Sequence, residues 1–466
     1  NDMVTQEYQD KAGKLCFVQT GVMIHYLNKA LFAHGLALKT TGASDGQRLV
    51  GAIAAGTHGS AMHVGAMQDY VKGIHLVIPN GDADSKHVFL QRKSDQAVNT
   101  NFAAFLDNTT IINDDELFNA AVVGFGSFGL IHGLLIETEP LFRLKQQTVR
   151  FNPNLDWYKE RLQTVMRNPT RKNIRALAKN GVSKNLFSWL NEEEGYPYFF
   201  SVNINPYKGL FPRTFFLEVM EKVAYNDDLH LYTSPPEALR KNVKHEAIHE
   251  GLAETFSGHT TLSKSLLSDG IQIGLRAFNH NSRRPAIAAD EKPYINFPNT
   301  IFSTKTAINP VTNSPCPATS TEIGVPISHV NEAVACILEV LQTTLLAAAL
   351  GIRYLPKSLA TLAVNQYDAF TVTIELPGPQ QGEGVLCSLF PDAKLAHNAI
   401  FEELNKRKIP HRFHWGQQYP LNATWVTQSY EVDKVTAWQN ARKQLLTTTK
   451  AQQLFANELT DKIGLT

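Results

Sequence analysis

The sequence is poor in cysteine and has no marked excess of charge of either sign. Its four cysteines are spread over 466 residues without a C-x-x-C pair, which argues against a zinc knuckle and against a disulfide scaffold. Lysine and arginine together number 44, against 43 aspartates and glutamates, so the chain lacks the basic excess typical of nucleic-acid-binding proteins. The composition is that of a globular protein, and the length allows two or three domains.

Long apolar runs are also missing. The longest, at residues 335–355, is interrupted by Glu339, Gln342 and Arg353, so the pattern predicts a buried helix rather than a membrane span. No signal peptide is visible, and the composition is compatible with a soluble, cytoplasmic protein. The chain begins at Asn1 without a methionine, although residues 15–20 already have the pattern of an interior strand. This combination predicts an upstream portion.

Residues 124–129 read G-F-G-S-F-G, which has the spacing of a dinucleotide-binding turn. That turn requires a helix after the glycines and an acidic residue about 20 positions later. Here the residues from Leu130 to Pro140 have the composition of a strand, and Lys145 and Gln146 stand near the acidic position. The segment therefore predicts a turn into a strand, and a nicotinamide-dependent dehydrogenase is disfavoured.

The pattern of predicted elements changes at Pro140. Before Pro140, predicted strands and helices alternate: a strand at 15–20, a helix at 22–34, strands at 74–79 and 86–90, and a short helix starting at Asp114. After it, long amphipathic stretches mix with strands at 198–202 and 370–376, and helices at 394–406 and 432–445 flank residues 411–417. The pattern indicates an α+β protein.

A glycine-rich stretch at residues 49–60 reads L-V-G-A-I-A-A-G-T-H-G-S. Gly51, Gly56 and Gly59 would let backbone N–H groups of one loop approach a phosphate or a flat ring. Thr57, His58 and Ser60 would add hydrogen-bond donors in the same loop. The competing interpretation is a glycine-rich turn with a structural histidine.

Four segments together resemble the vanillyl-alcohol oxidase superfamily, in the branch of the aldonolactone and alditol oxidases. Residues 51–60 are similar to that branch's G-A-x-A-T-G-T-H-G-S loop, with Ala55 in place of threonine, and residues 124–132 are similar to its L-G-A-L-G segment. Residues 412–417 (R-F-H-W-G-Q) resemble its terminal R-P-H-W-G-K motif, and residues 351–353 (G-I-R) resemble its E-V-R segment. The resemblance covers residues 14–140 and 320–420.

This resemblance implies a fold and a cofactor. It implies an α+β protein with a PCMH-type FAD-binding domain, of which the second subdomain is visible and the first is lacking, and a cap domain with an antiparallel sheet. The implied boundaries are 1–145 for the FAD-binding domain, 146–395 for the cap or substrate domain, and 396–466 for a C-terminal segment that returns to the flavin. The residues implied in cofactor binding are Ser44, Gly51, Ala55, Gly56, Thr57, His58, Gly59, Ser60, Gly126, Gly129, Leu130 and Ile131. A one-residue slip would put Ala43 in the place of Ser44.

The implied activity is FAD-dependent oxidation of a hydroxyl-bearing carbon in an alcohol, polyol or sugar lactone, with oxygen or another electron acceptor. Arg353, His414 and Gln417 are the implied catalytic residues. Two positions depart from the family, because Gly351 replaces a glutamate and Gln417 replaces a lysine. A glutamine cannot supply the positive charge that stabilises an anionic reduced flavin. The alternative is therefore an impaired homologue that binds flavin or ligand without turnover.

A rival motif, H-E-A-I-H, stands at residues 245–249. On a helix, His245 and His249 would share a face and could bind zinc, with Glu246 activating water. The extended zincin motif fails because Leu252 occupies its glycine position, and Gly251 weakens the helix. A solvated helix face is the favoured interpretation, so no metal is predicted, and a zinc hydrolase remains the third hypothesis.

Overall fold

A computed structural model of the chain describes most of its residues. The described ranges are 2–42, 45–81, 84–107, 109–151, 156–178, 187–191, 195–207, 215–225, 294–296, 318–379, 391–420 and 422–466. The helices within these ranges are all too short or too polar to cross a membrane. The H-E-A-I-H motif at 245–249 lies outside the described residues.

The first part of the chain forms a five-stranded sheet of order β1-β6-β3-β4-β5 and a small pair, β2-β7. All neighbouring strands are antiparallel except β4 and β5. The strands are β1 (Leu15–Gln19), β2 (Leu36–Ala37), β3 (Val71–Asn80), β4 (Asp84–Gln91), β5 (Thr110–Asn113), β6 (Leu130–Glu137) and β7 (Glu139–Pro140). Between them lie helices α1 (Ile24–Ala33), α2 (Leu49–Ala54), α3 (Thr100–Phe105) and α4 (Asp115–Ala121), and 3-10 turns at Gln6–Lys14 and Met67–Tyr70.

The second part forms an eight-stranded sheet of order β11-β8-β10-β9-β13-β14-β12-β15, in which every pair of neighbours is antiparallel. Its strands are β8 (Phe142–Phe151), β9 (Phe199–Ile204), β10 (Phe215–Ala224), β11 (Tyr294–Asn296), β12 (Ala318–Pro326), β13 (Leu350–Pro356), β14 (Phe370–Pro379) and β15 (Arg412–Phe413). Its helices are α5 (Asp156–Arg167), α6 (Arg171–Ala178), α7 (Val330–Val340) and α8 (Ala393–Lys406), with a 3-10 turn at Ile327–His329.

Each strand of the second sheet places alternate residues on opposite faces. Ile352, Ile374 and Ile323 lie on the face that packs with α5 to α8 in one apolar core. Their neighbours Arg353 and Glu375 therefore lie on the other face. This second face carries polar side chains and meets the loops of the first sheet.

The C-terminal segment comes back to the first sheet. It consists of α9 (Ala423–Tyr430), α10 (Val432–Leu445), α11 (Thr449–Leu454) and α12 (Glu458–Lys462). Trp438 of α10 is fully buried, donates its indole N–H to the carbonyl of Val123 over 3.2 Å, and meets the ring of Phe128 edge-on at 5.0 Å. This packing places the chain end in the same apolar core as α1, α2 and α4.

The structure confirms most of the predicted elements and corrects the one predicted at residues 335–355. The strand after Gly129 is β6, and the helices expected at 394–406 and 432–445 are α8 and α10. The single buried helix predicted for residues 335–355 is wrong, because α7 ends at Val340 and β13 begins at Leu350. Alternation of Ile352 and Tyr354 with Arg353 is the strand signal that the overall apolarity of this stretch concealed.

Gly73 is a position where the first sheet requires the absence of a side chain. A Cβ there would lie 2.0 Å from Cζ of Phe89, whose ring is fully buried against Phe102. We expect Gly73→Ala to lower the free energy of unfolding by about 1–3 kcal/mol through overpacking. Urea denaturation measures this, with Gly13→Ala as control because a Cβ at Gly13 meets nothing within 4 Å. Equal losses in the two variants would contradict the prediction.

Candidate functional site

Residues 56–60 lie between the two sheets. Gly56 adopts a positive φ of 74°, which turns the chain out of α2. The hydroxyl of Ser60 donates to the carbonyl of Phe200 in β9 and accepts from the backbone N–H of Tyr354 in β13 over 2.8 Å. The loop is therefore attached to the polar face of the second sheet through its own side chain.

The glycine-rich stretch begins as a helix. Gly51 lies inside α2, where a Cβ would meet no atom within 4 Å, so the prediction of one continuous loop is wrong for Gly51. Gly59 does sit in a close approach, because a Cβ there would lie 2.8 Å from both Thr40 Oγ1 and the carbonyl of Thr41. Ser44, and Ala43 beside it, lie outside the described residues.

The turn at 124–129 contacts the terminal motif at residues 412–417. Gly126 and Gly129 adopt positive φ angles of 76° and 138°, as a turn into β6 requires. The ring of Phe125 packs against Trp415, with ring centroids 4.7 Å apart. Leu130 and Ile131, the first residues of β6, are exposed and half-buried. Two distant sequence motifs thus meet through one aromatic contact.

His414 joins the terminal motif to the glycine loop. Its Nε2 lies 3.0 Å from the carbonyl of Gly56, and its Nδ1 accepts from the backbone N–H of Gly416 over 3.1 Å. Burial lowers the pKa of His414 to about 4, although Glu322 opposes this effect. The ring is therefore neutral at pH 7, with its proton on Nε2 donated to Gly56. Both ring nitrogens are bonded to the backbone.

An ion-pair network crosses three neighbouring strands behind this loop. Arg353 of β13 contacts Glu375 of β14 at 2.6 Å and Glu322 of β12 at 3.4 Å. The side chain of Glu322 is only 3% exposed, whereas those of Glu375 and Arg353 are 23% and 24% exposed. The positive charge of Arg353 is thus shared by two carboxylates, one deeply buried and one near the surface.

Glu322 has two further partners. Gln417 donates from Nε2 to Glu322 Oε2 over 3.2 Å, and Nε2 of His58 lies 3.4 Å from Glu322 Oε1. Burial by itself would raise the pKa of Glu322, but the charges and hydrogen bonds of His58 and Arg353 hold it well below its usual range. For Arg353, burial favours the neutral form, and the carboxylates of Glu375 and Glu322 outweigh it and raise the pKa.

His58, Glu322 and His414 bring potential metal-ligand atoms within 4.8 Å of one another, and all three residues are buried. The contacts of this group favour an ion-pair network over a metal centre. His414 uses both of its nitrogens for the backbone, and the Arg353 guanidinium, 3.4 Å from Glu322, opposes a second cation.

Arg353, His414 and Gln417, which the sequence predicted, lie together beside the 56–60 loop. Glu322 and Glu375 were not predicted. The two glutamates share no local motif, because they are far apart in the sequence and meet only through strand pairing. Glu322 of β12 pairs with Glu375 of β14, and Glu375 pairs with Gly351 of β13. A charged residue inside an apolar, alternating strand was the available signal. Glu322 stands before Ile323 and Val325, and Glu375 stands between Ile374 and Leu376.

An open cavity of about 430 Å³ lies beside this network, within the size range of ligand pockets. Its lining residues are Thr319, Ser320, Trp415, Gly416, Gln417 and Gln418. Two of these residues have a buried polar atom without a hydrogen-bond partner, namely Thr319 Oγ1 and Gln417 Oε1. A flat ring with N–H and C=O groups at its edge would satisfy such atoms, so the residues present fit a flavin. Gln417, Thr319 and the 56–60 loop are the residues that would hold it.

The fold and these residues define an FAD-binding protein. Residues 2–83, less than a fifth of the chain, match the family described as FAD binding domain. Together with the antiparallel sheet that covers the loops, this match identifies an α+β fold of the PCMH type, and FAD is its cofactor.

The curated proteins to which this chain is similar include several lactone oxidases. A protein named D-arabinono-1,4-lactone oxidase from Candida glabrata is 26% identical over 32% of this chain and 25% of its own length. Its namesake from Saccharomyces cerevisiae is 29% identical over 29% of this chain and 22% of its own length. L-gulonolactone oxidase from Scyliorhinus torazame is 27% identical over 30% of this chain and 26% of its own length. The chain thus matches about a quarter of the length of these relatives.

Glu322→Gln tests whether the network stabilises the fold. Removing one partner of a buried charge pair costs on the order of 3 kcal/mol. Because the pKa of Glu322 is depressed in the folded state, this stabilisation is present above the unfolded pKa of about 4.3 and is lost as the pH falls through the lower folded value. Denaturation at pH 7 and at pH 3 should therefore show a difference between variant and wild type that shrinks at pH 3.

The control for this measurement is Glu458→Gln, which removes an exposed pair with Lys462 on α12. It should show little difference at either pH. A Glu322→Gln difference that stays constant between pH 7 and pH 3 would show that shape, and not charge, accounts for the loss.

Proposed function

We propose that the chain belongs to an FAD-dependent oxidoreductase that oxidises a hydroxyl-bearing carbon of a neutral, polyhydroxylated substrate such as a sugar lactone or a polyol. The observation that carries this proposal is the meeting of the 56–60 loop, the 412–417 segment and the polar row of β12 to β14 beside one cavity. The names of the relatives support a lactone as the first substrate to test.

The charges beside the cavity favour a substrate without a negative charge. Arg353 is the natural anchor for an anion, but two carboxylates already neutralise it. An additional anion would meet Glu375, which is the more exposed of the two glutamates. Electrostatic repulsion therefore selects against a carboxylate substrate.

Glu375 is the residue best placed to bind a substrate hydroxyl. Its Oε2 is held by Arg353, and its Oε1 accepts from Ser320, a residue of the cavity wall, over 3.3 Å. A carboxylate oriented in this way can accept a hydrogen bond from a sugar hydroxyl. Glu375 would thus supply a carboxylate next to Gly351, where a Cβ would stand 3.5 Å from Glu375 Oε2.

The remaining residues hold the segments of the site together and shape the cavity. His414, neutral and bonded at both nitrogens, holds the terminal motif on the loop, and Trp415 provides an apolar wall of the cavity. Gln417 binds Glu322 through its N–H and keeps Oε1 available as an acceptor. FAD held by these residues would supply the hydride acceptor for the oxidation of a hydroxyl-bearing carbon, with the hydroxyl proton released to solvent and oxygen or another acceptor taking the electrons.

A second candidate is a homologue that binds flavin or a ligand without turnover. It is favoured by Gln417, which supplies no charge to a reduced cofactor, and by the commitment of Arg353 to two glutamates. The two candidates differ in whether any substrate reduces the bound flavin.

Purified protein reconstituted with FAD should be yellow, and a neutral lactone should bleach its flavin absorption under anaerobic conditions. The panel comprises D-arabinono-1,4-lactone, L-gulonolactone, xylitol and the hydrolysed, anionic form of each lactone. We expect reduction by a neutral compound and slower reduction by the anions. Protein that takes up no FAD would contradict the proposal, and flavin that is bound but reduced by none of the panel would favour the second candidate.

Glu375→Gln should lower kcat/KM for the neutral lactone by a factor of about 10–150, because a hydrogen bond to a charged acceptor is worth roughly 1.5–3 kcal/mol. Discrimination against the anionic form should decrease in the same variant. Steady-state kinetics with matched FAD content measures both effects. Glu332→Gln, on the exposed side of α7, serves as the control, and unchanged kinetics in Glu375→Gln would remove this residue from the substrate site.

A further inference from the structure

Three histidines meet on the other side of the molecule, on the face of the first sheet that carries Phe17 and Phe89. His75 lies in β3, and its ring centroid is 4.9 Å from that of His132 in β6 and 5.3 Å from that of His87 in β4. His75 is 2% exposed, whereas His132 and His87 are exposed. None of the three contributes to the flavin site.

A β-bulge brings His132 to His75. In the pairing of β3 with β6, His75 faces Gly133 and the next residue, Leu76, faces Ile131, so His132 is the extra residue of β6. Bulges redirect a side chain and occur frequently beside functional sites. As a result, Nδ1 of His132 lies 3.0 Å from Nδ1 of His75.

The tautomer of His75 follows from its other nitrogen. The hydroxyl of Thr109 donates to the carbonyl of Leu106, so its oxygen accepts from Nε2–H of His75 at 3.3 Å. With its proton on Nε2, His75 presents the lone pair of Nδ1 toward His132, which is the arrangement in which a histidine binds a metal ion.

The spacing of His75 from each of the other two rings matches that of zinc ligands. Zinc binds histidine nitrogen at about 2.0–2.1 Å in a tetrahedral arrangement, so two ligand nitrogens lie about 3.4 Å apart and their ring centroids about 5 Å apart. The observed values are 3.0 Å between nitrogens and 4.9 and 5.3 Å between centroids. The hydrogen bond that His75 donates from Nε2 to Thr109 Oγ1 is the kind of outer contact that orients a ligating histidine.

We propose that His75, His132 and His87 form a binding site for a divalent transition-metal ion such as Zn²⁺, with His75 and His132 binding through Nδ1 and water completing the coordination. The ion replaces the proton that His132 shares with His75 and releases it to solvent. The exposed His87 completes the set by rotation of its side chain. The site is structural, because it joins β3, β4 and β6 on the face opposite α1 and α2.

The test is zinc binding to the metal-stripped full chain, followed by calorimetry and by the visible absorption of the Co²⁺ form, which reports four-coordinate geometry. We expect one Zn²⁺ bound through this site. His132→Gln and His87→Gln should each weaken it by more than tenfold, and Thr109→Val, which removes only the orienting hydroxyl, should weaken it about 10–100-fold. His34→Gln, at the exposed end of α1, should bind zinc like the wild type.

The variants also separate this site from the motif at residues 245–249. Zinc binding that persists in His245→Gln and disappears in His132→Gln supports the proposal. Binding that is lost in His245→Gln and kept in His132→Gln overturns it, and so does a wild-type chain that binds no zinc. Because His132 and His87 are exposed, their replacement by glutamine leaves the core unchanged, and unfolding curves without metal verify this.

Discussion

The buried carboxylate of Glu322 is the constraint on which the arrangement of the candidate site depends. A charge that is almost wholly removed from water is stable only with partners of opposite charge or with donors. Its partners come from three separate parts of the chain: His58 from the glycine loop, Arg353 from the middle of the second sheet, and Gln417 from the terminal motif. These segments must therefore come together around one anion, which fixes the position of the loop against the sheet.

His414 adds a second connection that carries no charge. As a neutral ring it donates a hydrogen bond to the loop and accepts one from its own segment. It therefore holds the two segments together without forming an ion pair with Glu322. The site is thus built from one electrostatic centre and one directional hydrogen-bonding group. Trp415 packs on Phe125 of the first part of the chain and on Tyr430 of α9, and this packing connects the site to the C-terminal helices.

Much of the local structure could be predicted from the sequence, because strand and helix periodicities and glycine turns are local signals. The turn into β6 and the helices α8 and α10 are examples. Glu322 and Glu375 could not be predicted as a pair, since their meeting depends on the register of β12 against β14. The meeting of the histidines of β3, β4 and β6 could not be predicted either, because a bulge sets the direction of the His132 side chain. The boundaries at 145 and 395 remain predictions.

The hydroxyl of Ser60 has a consequence for the rigidity of the site. It is bonded at once to β9 and to β13, so lifting the second sheet from the loop would leave two buried backbone groups without partners. Such an opening is costly. The loop and the second sheet therefore form one rigid support, and the cavity lined by Ser320 and Gln418 has walls whose spacing this support fixes.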